Sequence, residues 1–200
     1  MRTLVYLHGF RSSSRSVKAQ LFVRAVESMP PALRPRLHVP DLPFDPAAAV
    51  ADVAAWIERA LAGRDAASEL TLIGSSLGGF YATNLAERFG ARAVLINPTI
   101  RPYDDLAPYV GVQTNLHGGE AFEVTDAHFR ALRALRVTHI TRPERYFLLV
   151  RSGDEVLPWR DAVEFYAGAW QFVAGGGDHG WIDFAGEIPS VLRFARCAGT

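Results

Sequence analysis

One stretch constrains this chain's fold more than any other: Leu70-Thr71-Leu72-Ile73-Gly74-Ser75-Ser76-Leu77-Gly78-Gly79-Phe80-Tyr81-Ala82. A short apolar run ends in Gly-x-Ser-x-Gly, and a helix-compatible pattern follows at once. Strand, tight turn and helix in that order are the setting of a nucleophile elbow, which exposes the serine hydroxyl at the carboxyl end of a strand. Gly74 and Gly78 flank Ser76 because side chains there would collide with the neighbouring strand and helix. The same letters also fit a plain glycine-rich turn with Ser76 as a helix cap, so the chemistry depends on what the rest of the chain brings.

With 200 residues, 49% of them hydrophobic, the chain can bury one sizeable core, and a single domain over 1–200 is expected. Its 21 basic and 21 acidic residues cancel, which leaves no electrostatic case for nucleic acid or an anionic membrane as partner. Lys18 is the only lysine, and Cys197 the only cysteine, so no disulfide forms within the chain. The sequence opens directly on a strand pattern, and no apolar run approaches the about 20 residues that cross a bilayer. A soluble, cytoplasmic protein is the expectation.

Strand and helix patterns alternate. Apolar runs at Thr3–Leu7, Leu37–Val39, Leu70–Ile73, Ala93–Ile96, Tyr146–Val150 and Trp170–Ala174 predict about six parallel strands. Helical spacing between them predicts helices on both faces of the sheet, which makes an α/β fold. The first helix is expected from about Ser16 to Ser28, with Val17, Leu21 and Ala25 inward. The second starts at the Asp45-Pro46 cap and ends at Gly63. From 100 to 142 the pattern breaks into an excursion between two core strands. It holds short helical candidates near Tyr103–Val110 and Thr125–Leu135 around a polar, glycine-bearing stretch, Gln113–Glu120. Such an insertion leaves the carboxyl edge of the sheet and is expected to act as a small lid.

Three loops at strand carboxyl ends carry Ser76, Asp154 and His179, the chain order of the α/β-hydrolases. In the roles this order predicts, His179 takes the Ser76 proton and Asp154 fixes the imidazole tautomer. Asp178 adjoins His179 in sequence and is poorly placed to reach its far nitrogen, and Glu155 lies one residue beyond the strand-end turn. The backbone N–H groups of Phe10 and Leu77 are the expected oxyanion donors. His8 is expected beside them as a structural residue bordering the substrate rather than as general base. The apolar residues Tyr103, Leu106, Tyr109, Val110, Phe122 and Phe129 of the excursion exceed what an exposed loop needs, and several of them, Tyr103, Tyr109 and Phe129 foremost, are expected to wall an acyl pocket. The glycine-rich segments lack the Lys-Ser/Thr of a P-loop and the dinucleotide fingerprint, and His38 with Asp41 makes no metal cluster.

Further residues carry a specific resemblance. Tyr6-Leu7-His8-Gly9-Phe10, Ser12-Ser13, Lys18-Ala19, the elbow, Asn97-Pro98, Arg101-Pro102-Tyr103, Gly111-Val112-Gln113-Thr114-Asn115, Gly153-Asp154-Glu155-Val156-Leu157 and Gly176-Gly177-Asp178-His179 resemble the small bacterial esterases of the YqiA type. That family is a compact branch of the α/β-hydrolase fold. The resemblance implies carboxylesterase activity on small acyl esters or thioesters, acyl-CoA among them, with no metal and no cofactor. Arg11 and the Gly180-Trp181 pair depart from the family pattern, which makes Trp181 a candidate substrate contact. An idle hydrolase fold serving as a binding module, or an amidase or perhydrolase on the same residues, are the alternatives.

Overall fold

A computed structural model describes residues 1–197. Its strands are β1 (Thr3–Leu7), β2 (Arg36–His38), β3 (Leu70–Ser75), β4 (Arg92–Ile96), β5 (Gly111–Thr114), β6 (Ala121–Val124), β7 (Tyr146–Arg151) and β8 (Trp170–Ala174). Its helices are α1 (Val17–Glu27), α2 (Pro46–Leu61), α3 (Ala66–Glu69), α4 (Leu77–Phe89), α5 (Pro102–Asp105), α6 (Asp126–Ala134), α7 (Trp159–Phe165) and α8 (Ile188–Phe194). Six strands form one parallel sheet in the order β2-β1-β3-β4-β7-β8, while β5 and β6 pair as a separate antiparallel hairpin. This is the α/β-hydrolase fold expected from the sequence.

The central strands are apolar on both faces because helices cover both. Val5, Leu7, Leu72, Leu95 and Leu148 point to a core shared with α2 and α4, whereas Leu4, Tyr6, Ile73, Val94 and Leu149 face α1 and α8. The α2 pattern is realised as read: Asp45 accepts the Ala48 N–H at 2.7 Å, and Val50, Val53, Ala54, Ile57 and Leu61 are buried. The helix ends on Ala62, which takes the left-handed conformation one residue before Gly63.

Two elements depart from expectation. In α1 the inward face centres on Ala19, Phe22 and Val26; of the residues expected inward, Leu21 and Ala25 are partly buried against the same core and Val17 is 63% exposed. The largest side chain sets the rotation, since the Phe22 ring packs at 5.3 Å from Tyr6 and 5.8 Å from Phe184. In the excursion, the polar stretch is the turn of the β5–β6 hairpin rather than a plain loop. The expected Tyr103–Val110 helix shrinks to α5 and one 3-10 turn over Ala107–Tyr109, where Pro108 lacks the N–H a continuing helix needs. The later helix forms as α6, with a reciprocal cap between Thr125 and His128.

The elbow depends on backbone approaching backbone. A Cβ built on Gly78 would lie 2.0 Å from the Leu7 carbonyl oxygen, and one on Gly74 would lie 2.2 Å from the Gly78 oxygen. Overpacking against rigid main chain costs about 1–3 kcal/mol or more. Gly78→Ala is therefore expected to lower unfolding free energy in urea by at least that amount. Gly186→Ala, where a Cβ meets nothing within 4 Å, is the control and should be near neutral.

Candidate active site

Ser76 joins β3 to α4 at φ 56° and ψ −121°, a conformation that L-residues rarely adopt. Surrounding hydrogen bonds hold it there. Its N–H donates to the Ile96 carbonyl at 3.0 Å, and its own carbonyl accepts from Gly79 at 2.9 Å and Thr99 at 3.3 Å. The hydroxyl is thereby lifted off the sheet edge, where the loop after β8 meets it.

The structure brings Ser76, His179 and Asp154 together in one hydrogen-bonded chain. The Ser76 Oγ lies 3.1 Å from His179 Nε2, and His179 Nδ1 lies 2.8 Å from Asp154 Oδ2. The other carboxylate oxygen of Asp154 accepts the N–H groups of Val156 at 2.9 Å and Leu157 at 2.8 Å. Burial raises the Asp154 carboxyl pKa, but the His179 hydrogen bond and charge and the two amides outweigh it, leaving the group below its ordinary value. With Asp154 ionised, the Nδ1 proton stays on His179 and Nε2 is left to accept the serine proton.

The loop bearing His179 is held by side chains from several elements, and sequence reasoning missed most of them. Asn97, buried at the end of β4 with φ 41°, donates to the carbonyls of His179 at 3.1 Å and Asp178 at 3.4 Å. Its amide oxygen accepts the Arg151 N–H at 2.9 Å, which ties β4, β7 and the loop together. Glu155, one residue beyond the strand-end turn, accepts the His179 backbone N–H at 3.0 Å. Asp178 caps the following turn by accepting the Trp181 N–H at 2.7 Å, so it is a structural neighbour of the histidine and does not touch its ring. The half-buried Lys18 donates from Nζ to the Gly180 carbonyl at 2.5 Å. Burial pushes its amine down to about 8, against the opposing pull of Asp178 and Asp154. That this chain's only lysine lies in the segment resembling a known family was the available signal.

Trp181 is not a substrate contact. It is 1% exposed, packed edge-on to Phe184 with the Arg151 guanidinium 4.6 Å from its ring centroid. A left-handed backbone at Trp181, φ 49°, turns the side chain inward to the α1–α8 core. His8 lines the same cleft as Phe10 and Leu77 and is held as a structural residue, as expected: Nε2 accepts the Leu42 N–H at 3.0 Å, so Nδ1 carries the proton and donates to the Gly9 carbonyl at 3.0 Å. Burial lowers the His8 pKa and keeps the ring neutral.

Phe10 and Leu77 flank the serine on the other side. A Cβ on Gly9 would lie 3.1 Å from Ser76 Cβ, so the turn after β1 runs directly past the hydroxyl. The N–H groups of Phe10 and Leu77 make no hydrogen bond to another described residue. Both residues border a narrow cleft of about 30 Å³ that is also walled by Leu42, Phe44, Tyr81 and Phe122. Its aromatic wall is continuous: Phe122 stacks on Phe44 at 3.9 Å and meets Phe10 edge-on at 5.8 Å. Tyr109 touches this group through Phe10 at 5.4 Å. Tyr103 and Phe129 do not belong to the cleft; they line a separate cavity of about 380 Å³ beside α6, where Arg133 lies over the Tyr103 ring. A further cavity of about 300 Å³ lies between Tyr103 and Phe165, and none of the three spaces is lined by Ser76, Asp154 or His179 themselves; the aromatic cleft is set apart by Phe10 and Leu77, which flank Ser76. Phe122 belongs to the apolar set expected from the excursion, whereas Phe44 went unread because it sits in a loop with no periodicity to mark it.

A sequence profile of UPF0227, an uncharacterised protein family, matches residues 3–196. Among solved structures, the chain is similar to Est1E from Butyrivibrio proteoclasticus, with a TM-score of 0.68 at 13% identity over 96% of this chain and 85% of that one. Alpha/beta hydrolase domain-containing protein 10 from mouse superposes with a TM-score of 0.66 at 16% identity, covering 96% and 89%. The esterase domain of a Rhodothermus marinus protein gives 0.65 at 20% identity, covering 96% and 84%. At these identities the likeness is one of fold.

The Lys18 amine gives a measurable signature. Between its folded value of about 8 and its ordinary 10.5, the unfolded chain holds a proton that the folded chain does not. Stability contributed at this position therefore rises as pH climbs through that window. The unfolding free energy of the wild type relative to Lys18→Met should increase from pH 8 to 10.5. A difference that stays flat across the window would show that the amine is not desolvated.

Proposed function

The chain belongs to UPF0227, the YqiA-type family, and on that premise we propose that it is a serine hydrolase acting on small acyl esters or thioesters. The observation that carries this reading is the unbroken hydrogen-bond chain from Ser76 Oγ through His179 to the ionised Asp154. In the proposed cycle, Ser76 Oγ attacks the acyl carbonyl as its proton passes to His179 Nε2. The carbonyl oxygen becomes an oxyanion facing the Phe10 and Leu77 amides, each worth about 3 kcal/mol to the transition state. The tetrahedral adduct collapses, the bond to the alcohol or thiol breaks, and His179 returns the proton to that leaving group. Water repeats the sequence on the acyl-enzyme and releases the acid with Ser76 restored.

The narrowness of the aromatic cleft supports a short acyl chain, acyl-CoA thioesters of low chain length included. Phe10, Phe44 and Phe122 crowd this cleft, which favours a small acyl group there. No metal or cofactor enters this cycle. Among the described residues no helix is long and apolar enough to cross a membrane, and the proposed substrates are small molecules met in solution.

A fluorophosphonate probe is expected to label the protein once per chain, and Ser76→Ala should abolish labelling while keeping the fold. Asp154→Asn should lower kcat on the order of 10⁴-fold, and Asp178→Asn should change it little. Labelling that survives in Ser76→Ala would overturn the proposal. On p-nitrophenyl esters of graded length, kcat/KM should peak at short acyl groups. Phe122→Ala should move the peak to longer chains, by about 10–200-fold per discriminated methylene at most. An unchanged ranking would remove the cleft from the acyl site.

A further inference from the structure

β8 closes the sheet on one side, and no described strand pairs with its outer edge. The direction of its backbone groups follows from one bond. The Ala174 carbonyl accepts the Ser152 N–H at 2.9 Å, so the N–H and C=O of Ala174 face inward to the β7 side. Alternation then turns those of Phe172 and Trp170 inward too, and those of Gln171 and Val173 outward. The Gln171 side chain does not cover them, because its amide donates back to the carbonyls of Val163 at 3.0 Å and Tyr166 at 2.8 Å.

Exposed sheet edges are ordinarily blunted by charge, proline or a bulge. Trp170–Ala174 has no charge and no proline, and its pairing to β7 runs without interruption. Three apolar side chains stand in the open: Trp170 is 67% exposed, Phe172 41% and Val173 42%. The opposite edge is different. β2 has only three residues, Arg36–His38, and Trp56 covers it, with the His38 ring stacked at 3.9 Å and the Arg36 guanidinium at 4.8 Å.

We propose that β8 pairs antiparallel with β8 of a second copy of this chain, joining the two sheets across a two-fold axis at Phe172. Self-pairing is what the strand is built for. In this register Gln171 and Val173 of the facing strands exchange both main-chain bonds, twice by symmetry. The large Trp170 then faces the small Ala174, and no charge meets its like. Pairing of β8 with a partner's β2 would instead be head-to-tail and open-ended, and the short, covered, cationic β2 excludes it. This inference is independent of the hydrolase reading, since it uses no residue of the proposed active site.

Phe172 faces itself in the pair that makes no hydrogen bonds, where Cα atoms approach to about 4.5 Å, within disulfide reach. Cys197, the only native cysteine, is buried. Sedimentation of the wild type at tens of micromolar should therefore give twice the mass of one chain, and oxidised Phe172→Cys should run as a covalent dimer. Val173→Cys, displaced along the strand from its own copy, should not cross-link. The double variant Trp170→Cys/Ala174→Cys reports the same register if Phe172→Cys does not fold. Val173→Pro removes only an outward N–H, so a folded, monomeric Val173→Pro is expected. A monomeric wild type at these concentrations, or a dimer that persists in folded Val173→Pro, would overturn the proposal.

Discussion

Everything at the sheet edge that bears Ser76 depends on how closely α4 can approach β1. Gly78 lies so near the Leu7 carbonyl that no Cβ fits between them, and Gly74 lies equally near Gly78. That contact lets β3 turn into a helix within one residue, and the turn is what forces Ser76 to φ 56°. Such a conformation costs on the order of 1–3 kcal/mol and persists only where its surroundings over-determine it. Here they do: the Ser76 N–H and C=O are bonded to Ile96, Gly79 and Thr99, so relaxing the turn would break contacts to β4 as well as to α4.

The same economy of main-chain contacts fixes the histidine. Asp154 and His179 lie on loops after neighbouring strands, β7 and β8, and Gly153 bonds directly to Gly176 at 3.0 Å across them. A carboxylate on the β7 loop therefore faces the ring, while Asp178, on the histidine's own loop, is turned to the Trp181 amide. Which aspartate orients the ring is thus decided by strand order, not by sequence proximity. Asn97 completes the frame by occupying a left-handed position at the end of β4, from which one amide reaches both β7 and the histidine loop. Asparagine tolerates that backbone better than most residues, and its short amide can both donate and accept.

These facts explain what was legible in the sequence and what was not. The sheet could be read because parallel strands buried on both faces are nearly continuous apolar runs, and β8 and α4 begin and end where pattern and glycine place them. The Ser76 and Asp154 positions could be read because each follows such a run, and His179 because it follows the apolar but exposed edge strand β8. The β5–β6 hairpin could not. Val112 is exposed and only Val124 is buried, so no alternation marks it, and it is held by contacts distant in sequence. Trp181 was misread for a related reason: proximity to His179 says nothing about side-chain direction, which a positive φ reverses. Val17 and Phe22 satisfy helical spacing equally, and only the position of Tyr6 and Phe184 decides which turns inward.

The insertion, expected as a lid, is bound to the turn that carries the Phe10 amide. Arg11 Nε donates to the Thr114 carbonyl at 3.0 Å, and the Leu116 N–H returns to the Arg11 carbonyl at 2.8 Å. Asn115, buried, donates from Nδ2 to the Ser12 carbonyl at 3.1 Å while its Oδ1 accepts the N–H groups of His117 and Gly118 and so organises the hairpin turn. Arg11 itself has φ 55°, a conformation these bonds hold in place. The hairpin that supplies Phe122 to the cleft is therefore the same body that fixes the backbone beside Ser76. Moving it outward would break one main-chain bond, Leu116 to Arg11, and the side-chain bonds of Arg11 and Asn115, and would pull on the Phe10 turn at the same time. In this architecture the hairpin carrying Phe122 and the turn carrying the Phe10 amide are joined by hydrogen bonds, so a displacement of one would be felt by the other.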